Sequence, residues 1–166
     1  MPRRVAVKIL HARHAQNEQL RARFKRELEA SCRVTHENVI QVIDVGEDDD
    51  LGLYYVMELV RGALLDDLID DGPMPWQKCH HIASQLTAAL NSIHRAGIVH
   101  RDLKPQNVML VERSDQMPLV KLLDFGIASV TQDDEDHNVE LTGTQMVLGT
   151  PAYMSPEQTY MRTDRE

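Results

Sequence analysis

The sequence predicts an α+β fold in two lobes. A small, incomplete sheet with one helix comes first, then a mainly helical part carrying a small hairpin, with the crossing near residues 58–63. Three observations predict this layout. β-branched and aromatic runs at 5–10, 39–46 and 51–60 read as strands. Apolar residues recur every three or four positions at 20–28 and 82–93, as they do along one face of a helix. Gly62 separates the two kinds of pattern.

The elements follow in order. Val5 to Leu10 reads as a short buried strand. From about Ala15 to Arg33 the pattern is helical, with Leu20, Phe24 and Leu28 spaced by four amid charged positions. "VIQVIDVG" and "LGLYYVMELV" flank an acidic turn, which predicts an antiparallel hairpin. Beyond Gly62, "LLDDLIDDG" reads as a short helix stopped by Gly72 and Pro73. Pro75 starts the clearest helix. Its apolar stripe runs through Ile82, Leu86, Ala89, Leu90 and Ile93 to a stop at Gly97. Then come "IVHRDLKPQN", a short strand "VMLV", a polar turn through Pro118 and a strand "LVKLLD". Residues 125–155 read as one long irregular segment, and loops of that length are usually functional or disordered.

Composition narrows the function. The 166 residues fit one ordinary domain or a fragment of a larger one, and a hydrophobic fraction of 42% suffices for a core. No apolar run approaches the ~18 residues of a membrane span, and the start is no signal peptide. The net charge of −8 divides into +5 over residues 1–43 and −13 over 44–166, so no basic face exists for nucleic acid. The acidic clusters at 47–50, 66–67, 70–71 and 133–136 read as solvated loops or helix ends. Cys32 and Cys79 form no CxxC, which predicts reduced thiols and a cytoplasmic setting. His11, His14, His80 and His81 lack the spacing of a zinc site and read as surface residues; only His100 reads as core.

The chemistry is concentrated in a few motifs. "HRDLKPQN" spans 100–107, "DFG" 124–126 and "GTPAYMSPE" 149–157, and Lys8 ends "VAVK" far upstream. More than a dozen positions agree in order and spacing with one pattern: the chain resembles the protein kinases from Val5 to its end. Lys104, two residues after Asp102, resembles the Ser/Thr branch. "DFGIA" and "GTPAYMSPEQ" are most similar to the bacterial members of the eukaryotic-type, or Hanks-type, Ser/Thr kinases.

The resemblance implies ATP and Mg²⁺ as cofactors, and proteins bearing Ser or Thr hydroxyls as substrates. By the same resemblance Asp102 is the catalytic base and Lys104 offsets charge on the transferring phosphate, while Asn107 and Asp124 are the metal ligands. Lys8 holds the α- and β-phosphates. Glu27 is its expected partner, since it flanks the inward stripe of the first helix and a carboxylate there should find a cation. A rival reading pairs Glu27 with Arg23, four residues earlier. The adenine slot is implied to lie between Ala6 and Met109, with Met57 guarding its back and the backbone of Glu58 and Val60 contacting the base. Arg101 is expected as a buried cation that pairs with a loop phosphate. Thr142 and Thr144 are the candidate phosphorylation sites, and Thr150 is expected to contact Asp102 and Lys104.

The pattern is incomplete at both ends. No GxGxxG occurs, since none of the eight glycines stand two apart, and the family places that loop and two strands before "VAVK". The strand of Lys8 is therefore expected to be an exposed edge. The chain ends nine residues after Glu157, before the family's later helices. The expectation is a partial kinase-like fold truncated at both ends: residues 1–60 a partial N-lobe, and residues 61–166 a partial C-lobe with the catalytic loop and activation segment. The competing expectation, from these absences, is a non-catalytic kinase-like binding or regulatory module. Bacterial relatives often carry a membrane span outside the kinase part.

Overall fold

The computed structural model describes residues 4–9, 18–48, 50–114, 116–124 and 151–156. In Val5–Ile9 (β1), Val5, Val7 and Ile9 face solvent, while Ala6 and Lys8 are partly covered. A buried strand was expected here. The two-residue period instead gives β1 one wet and one covered face, and among the described residues it is an edge of its sheet.

The first helix, Glu18–Ser31 (α1), ends two residues earlier than the periodicity suggests. The Cys32 amide donates to the Leu28 carbonyl (3.0 Å), and those of Arg33 and Val34 reach back only three residues, to Ala30 and Ser31 (3.1 Å each). Leu28 is buried; the side chains of Leu20, Arg23 and Phe24 lie outside those described. The hairpin forms as Val42–Asp48 (β2) and Gly52–Glu58 (β3). Its acidic turn is built by Asp48, whose Oδ1 accepts from the amides of Asp50 (2.9 Å) and Leu51 (3.0 Å). The sheet order is β1-β3-β2, with Lys8 opposite Tyr55 and Ala6 opposite Met57. Leu28, Val42, Leu53 and Tyr55 form a small core against α1.

Residues 38–40 do not extend β2. Val39 makes a parallel bridge to Leu122, the Ile40 amide donates to the Leu122 carbonyl (2.9 Å), and the Leu122 amide donates to the Asn38 carbonyl (2.8 Å). This segment of the first part is thereby fastened to the second.

The second part opens with a two-residue strand, Ala63–Leu64 (β4), too short to leave a periodic signal. It runs into Leu65–Asp70 (α2) and then Trp76–Arg95 (α3). Gly97, at φ +76°, ends α3 in a Schellman turn, with its amide on the His94 carbonyl (2.9 Å) and the Ile98 amide on the Ile93 carbonyl (3.0 Å). Val108–Arg113 (β5) and Gln116–Leu122 (β6) complete a second sheet in the order β4-β5-β6. Pro118, expected in a turn, lies within β6, an edge strand among the described residues, where proline is tolerated. Its carbonyl accepts from His81 Nε2 (3.0 Å) and Gln85 Nε2 (3.1 Å). His81 is therefore half-buried and tied to β6 rather than a surface residue, whereas His80 is exposed.

Ile82, Ala89 and Ile93 of α3 pack with Leu65, Val108, Leu110, Val120 and Leu122, and Val34, Val39 and Ile40 join them from the first part. Met57 packs on both cores. Cys32 and Cys79 are free thiols, and among the described residues no helix is long and apolar enough to cross a membrane.

Gly62 lies tight against β5 at the crossing. A Cβ there would lie 2.2 Å from the carbonyl oxygen of Leu110, a backbone atom that cannot yield. Gly62→Ala is expected to cost about 1–3 kcal/mol by forced overpacking. In urea denaturation its midpoint should fall while the slope stays that of the wild type.

Candidate active site

The segment 100–107 folds around a buried histidine. His100 is 2% exposed, with Nε2 3.0 Å from the Leu123 carbonyl and Nδ1 3.3 Å from the Asp102 amide. A carbonyl only accepts and an amide only donates, so the ring is the neutral tautomer protonated on Nε2. Burial pushes its pKa below 6.5, against an opposing pull from the bond to Leu123 and from Asp102 and Asp124.

Three side chains then converge. Asn107 Nδ2 donates to the Asp102 carbonyl (2.7 Å) and to Asp102 Oδ2 (2.9 Å). Lys104 Nζ stands 2.8 Å from that same Oδ2. The 3₁₀ turn Pro105–Asn107 brings Asn107 back toward Asp102, with the Asn107 amide on the Lys104 carbonyl (2.9 Å). The Asn107 carbonyl accepts from the Leu123 amide (2.8 Å), so this cluster is registered against the residue before Asp124.

Asp124 stands just past β6 at φ +49°, a left-handed conformation that Asp tolerates better than most residues. Its carboxylate reaches the other sheet. Lys8 Nζ lies 2.7 Å from Oδ2, and the Tyr55 hydroxyl donates to Oδ1 at 2.8 Å. Lys8 and Tyr55 are cross-strand partners on β1 and β3, which is why they meet one carboxylate together. Burial, and then the charge of Asp124, raise the Tyr55 pKa far above its ordinary value, so the phenol remains a donor.

Lys8 thus has a different carboxylate partner from the one the helix spacing favoured. Glu27 is half-buried in the penultimate turn of α1, and its carbonyl accepts from Ser31 Oγ (2.9 Å). Arg101, expected to be buried, is exposed. Its backbone adopts φ +60°, uncommon for a long side chain, in the turn between His100 and Asp102.

The residues expected around the base are spread along the crossing. Ala6 pairs with Met57, and Met109 stands opposite Leu64 and Lys121. Val60 packs on the larger core. Glu58 makes a pair that the sequence did not suggest: its Oε1 is 2.6 Å from Lys121 Nζ and accepts from the Gln41 amide (3.0 Å). Its own amide donates to the Gln41 carbonyl (3.0 Å). Tyr55, which reaches Asp124, is likewise not singled out by the sequence. Its place two positions before Met57, on the same strand face, was the available signal. Thr142, Thr144 and Thr150 lie outside the described residues, as do Phe125, Gly126, Glu157, His11 and His14.

Asp124 offers carboxylate oxygens and Asn107 an amide oxygen. Those are the donors a hard divalent cation takes, commonly as one or two protein groups beside substrate phosphates. The residues present therefore fit Mg²⁺.

Comparison with known proteins gives a consistent picture. A family model described as protein kinase domain matches residues 2–165. The serine/threonine-protein kinase pkn3 of Myxococcus xanthus is 42% identical over 155 residues, covering 93% of this chain and 28% of that protein. PknB of Mycobacterium leprae is 40% identical, covering 94% of this chain and 24% of that protein, and PrkC of Bacillus subtilis is 36% identical over 95% and 23%. The chain thus spans less than a third of the length of these relatives. The crystal structure of the Mycobacterium tuberculosis PknI kinase domain superposes with a TM-score of 0.65 at 32% identity, covering 74% of this chain and 49% of that one. Rad53 in complex with AMP-PNP superposes with a TM-score of 0.62 at 31% identity, covering 79% and 36%. The fold is the α+β kinase architecture, represented here in part.

His100 gives the site a pH dependence with a definite sign. Its folded pKa lies below 6.5, so the unfolded chain binds the extra proton first as pH falls. The stability it contributes is complete above 6.5 and declines as pH drops from 6.5 toward the folded value. Urea midpoints of wild type and His100→Gln, followed from about pH 7.5 to 5.5, should converge as the pH falls. A gap that stays constant would remove His100 as the source.

Proposed function

The chain belongs to the protein kinase domain family, and from that premise we propose that it forms part of a Ser/Thr protein kinase catalytic domain. In this reading the domain transfers the γ-phosphoryl group of Mg²⁺-bound ATP to Ser or Thr hydroxyls of protein substrates. The observation that carries the reading is the 2.7 Å pair between Lys8 and Asp124, 116 residues apart in sequence. It joins the expected phosphate-binding lysine to a carboxylate that Leu123 ties to the Asp102–Lys104–Asn107 cluster.

Phosphoryl transfer demands positioning and charge stabilisation more than covalent catalysis. Asp102 has Oδ2 anchored by Lys104 and Asn107, so its carboxylate is held in one orientation. Its role is to orient the substrate hydroxyl and take its proton as the new P–O bond forms and the bond from the γ-phosphorus to the bridging oxygen breaks, releasing ADP. Lys104, already beside Asp102, offsets charge on the transferring group. Bound Mg²⁺ supplies neutralisation of the phosphate charge, with the oxygens of Asp124 and Asn107 as its protein ligands. Lys8 would hold the α- and β-phosphates, with Glu27 of α1 as the carboxylate expected to balance its charge. Ala6, Met57, Met109 and the backbone of Glu58 and Val60 line the adenine slot between residues 1–60 and 61–166. Regulation by phosphate on Thr142 or Thr144, read by Arg101, rests on sequence placement.

Asp102→Asn should lower Mg-ATP-dependent phosphorylation of a generic protein substrate by ~10²–10⁴, with nucleotide binding intact. Equal label transfer by both proteins would remove the catalytic claim and favour a binding module. Phosphopeptide mapping of an active sample should find phosphate on Thr142 or Thr144; a sample active with both unmodified would refute that assignment.

A further inference from the structure

Tyr55 occupies a position that neither the phosphate-handling nor the base-binding roles absorb. Its ring is 1% exposed and packed among Leu28, Val42 and Leu53, so the phenol cannot swing away without opening the small core. Its hydroxyl nevertheless reaches out of that core to the Asp124 carboxylate.

The two donors on Asp124 differ in kind. Lys8 places a full positive charge on a half-exposed stem against Oδ2, and that side chain has the freedom to move to phosphate. Tyr55 places a neutral hydroxyl, carried on a fixed ring, against Oδ1. A carboxylate oxygen has two lone pairs, so Oδ1 can accept from Tyr55 and still ligate a cation. The last torsion of an Asp side chain is soft, and a fixed donor on one oxygen sets the plane of the carboxylate. Groups that hold metal ligands in this way commonly change metal affinity by 10–100-fold when removed.

Resting on the kinase reading above, we infer that Tyr55 is a positioning residue for the divalent cation: it holds Asp124 in the orientation that ligates the metal accompanying the nucleotide. Tyr55 touches neither substrate nor metal and acts through Asp124.

The test is the coupling between metal and nucleotide, measured by calorimetric titration of ADP into the protein in saturating Mg²⁺ and again in EDTA. Tyr55→Phe keeps the ring and its packing and removes only the hydroxyl. The ratio of the two ADP affinities should fall about tenfold, while the affinity in EDTA, which reports an intact fold and base slot, stays at the wild-type value. Tyr55→Met, which fills the space without a donor, should give the same loss. A wild-type ratio in either folded variant overturns the inference, as does a raised ratio. Asp124→Asn separates the two levels. If it leaves the ratio unchanged, Asp124 is no metal ligand and the reading beneath the inference fails. If it collapses the ratio while Tyr55→Phe does not change it, only the role of Tyr55 fails.

Discussion

The Asp124 carboxylate is the point on which the site depends. It stands at the end of an edge strand of one sheet, in a left-handed conformation, and is gripped by two side chains from the other sheet. The grip is geometric before it is electrostatic. Lys8 and Tyr55 are opposite one another in an antiparallel register, so a single carboxylate can meet both. With both groups of the Lys8–Asp124 pair partly exposed, the pair itself contributes little to stability. Its significance lies in bringing together chemistry separated by most of the chain.

The crossing between the two sheets makes that meeting reproducible. Met57 packs on both cores, and Glu58, the next residue, is fixed by Lys121 of β6 and by the Gln41 amide. The Glu58–Lys121 pair is 21% and 13% exposed, so loss of either partner would leave a largely covered charge. On the other side Asn38, 3% exposed, donates to Gln85 of α3 (2.7 Å) and to the Val120 carbonyl (2.9 Å). Gln85 in turn accepts from the Val120 amide (3.0 Å). Helix α3 therefore covers the outer edge of β6 with hydrogen bonds as well as apolar contacts, which blunts an exposed strand edge.

Much of this was legible in the residue pattern. The α3 stripe, the Gly97 stop and the β2–β3 hairpin follow from local periodicity and turn chemistry, which act over a few residues. The HRDLKPQN loop was legible as a motif, and the mutual contacts of Asp102, Lys104 and Asn107 lie within six residues. Other readings failed for identifiable reasons. Proline punctuates most strands and so predicts a turn at Pro118, but an edge position removes that objection. The local pattern predicts a surface His81 because its neighbours on α3 carry no sign of the Pro118 carbonyl packed against it. Ala63–Leu64 is too short for any period to show.

By itself, the sequence determined the main helices and strands and their order, because these depend on neighbours a turn or a strand away, and its motifs carried the family resemblance. Only the tertiary structure decided which groups meet. Lys8 faces Asp124, Tyr55 enters the site through a hydroxyl at the end of a core ring, and Glu58 finds Lys121. Each of those pairings spans more than sixty residues. Its partner is set by strand register and by how one sheet packs on the other, and no local pattern encodes that distance.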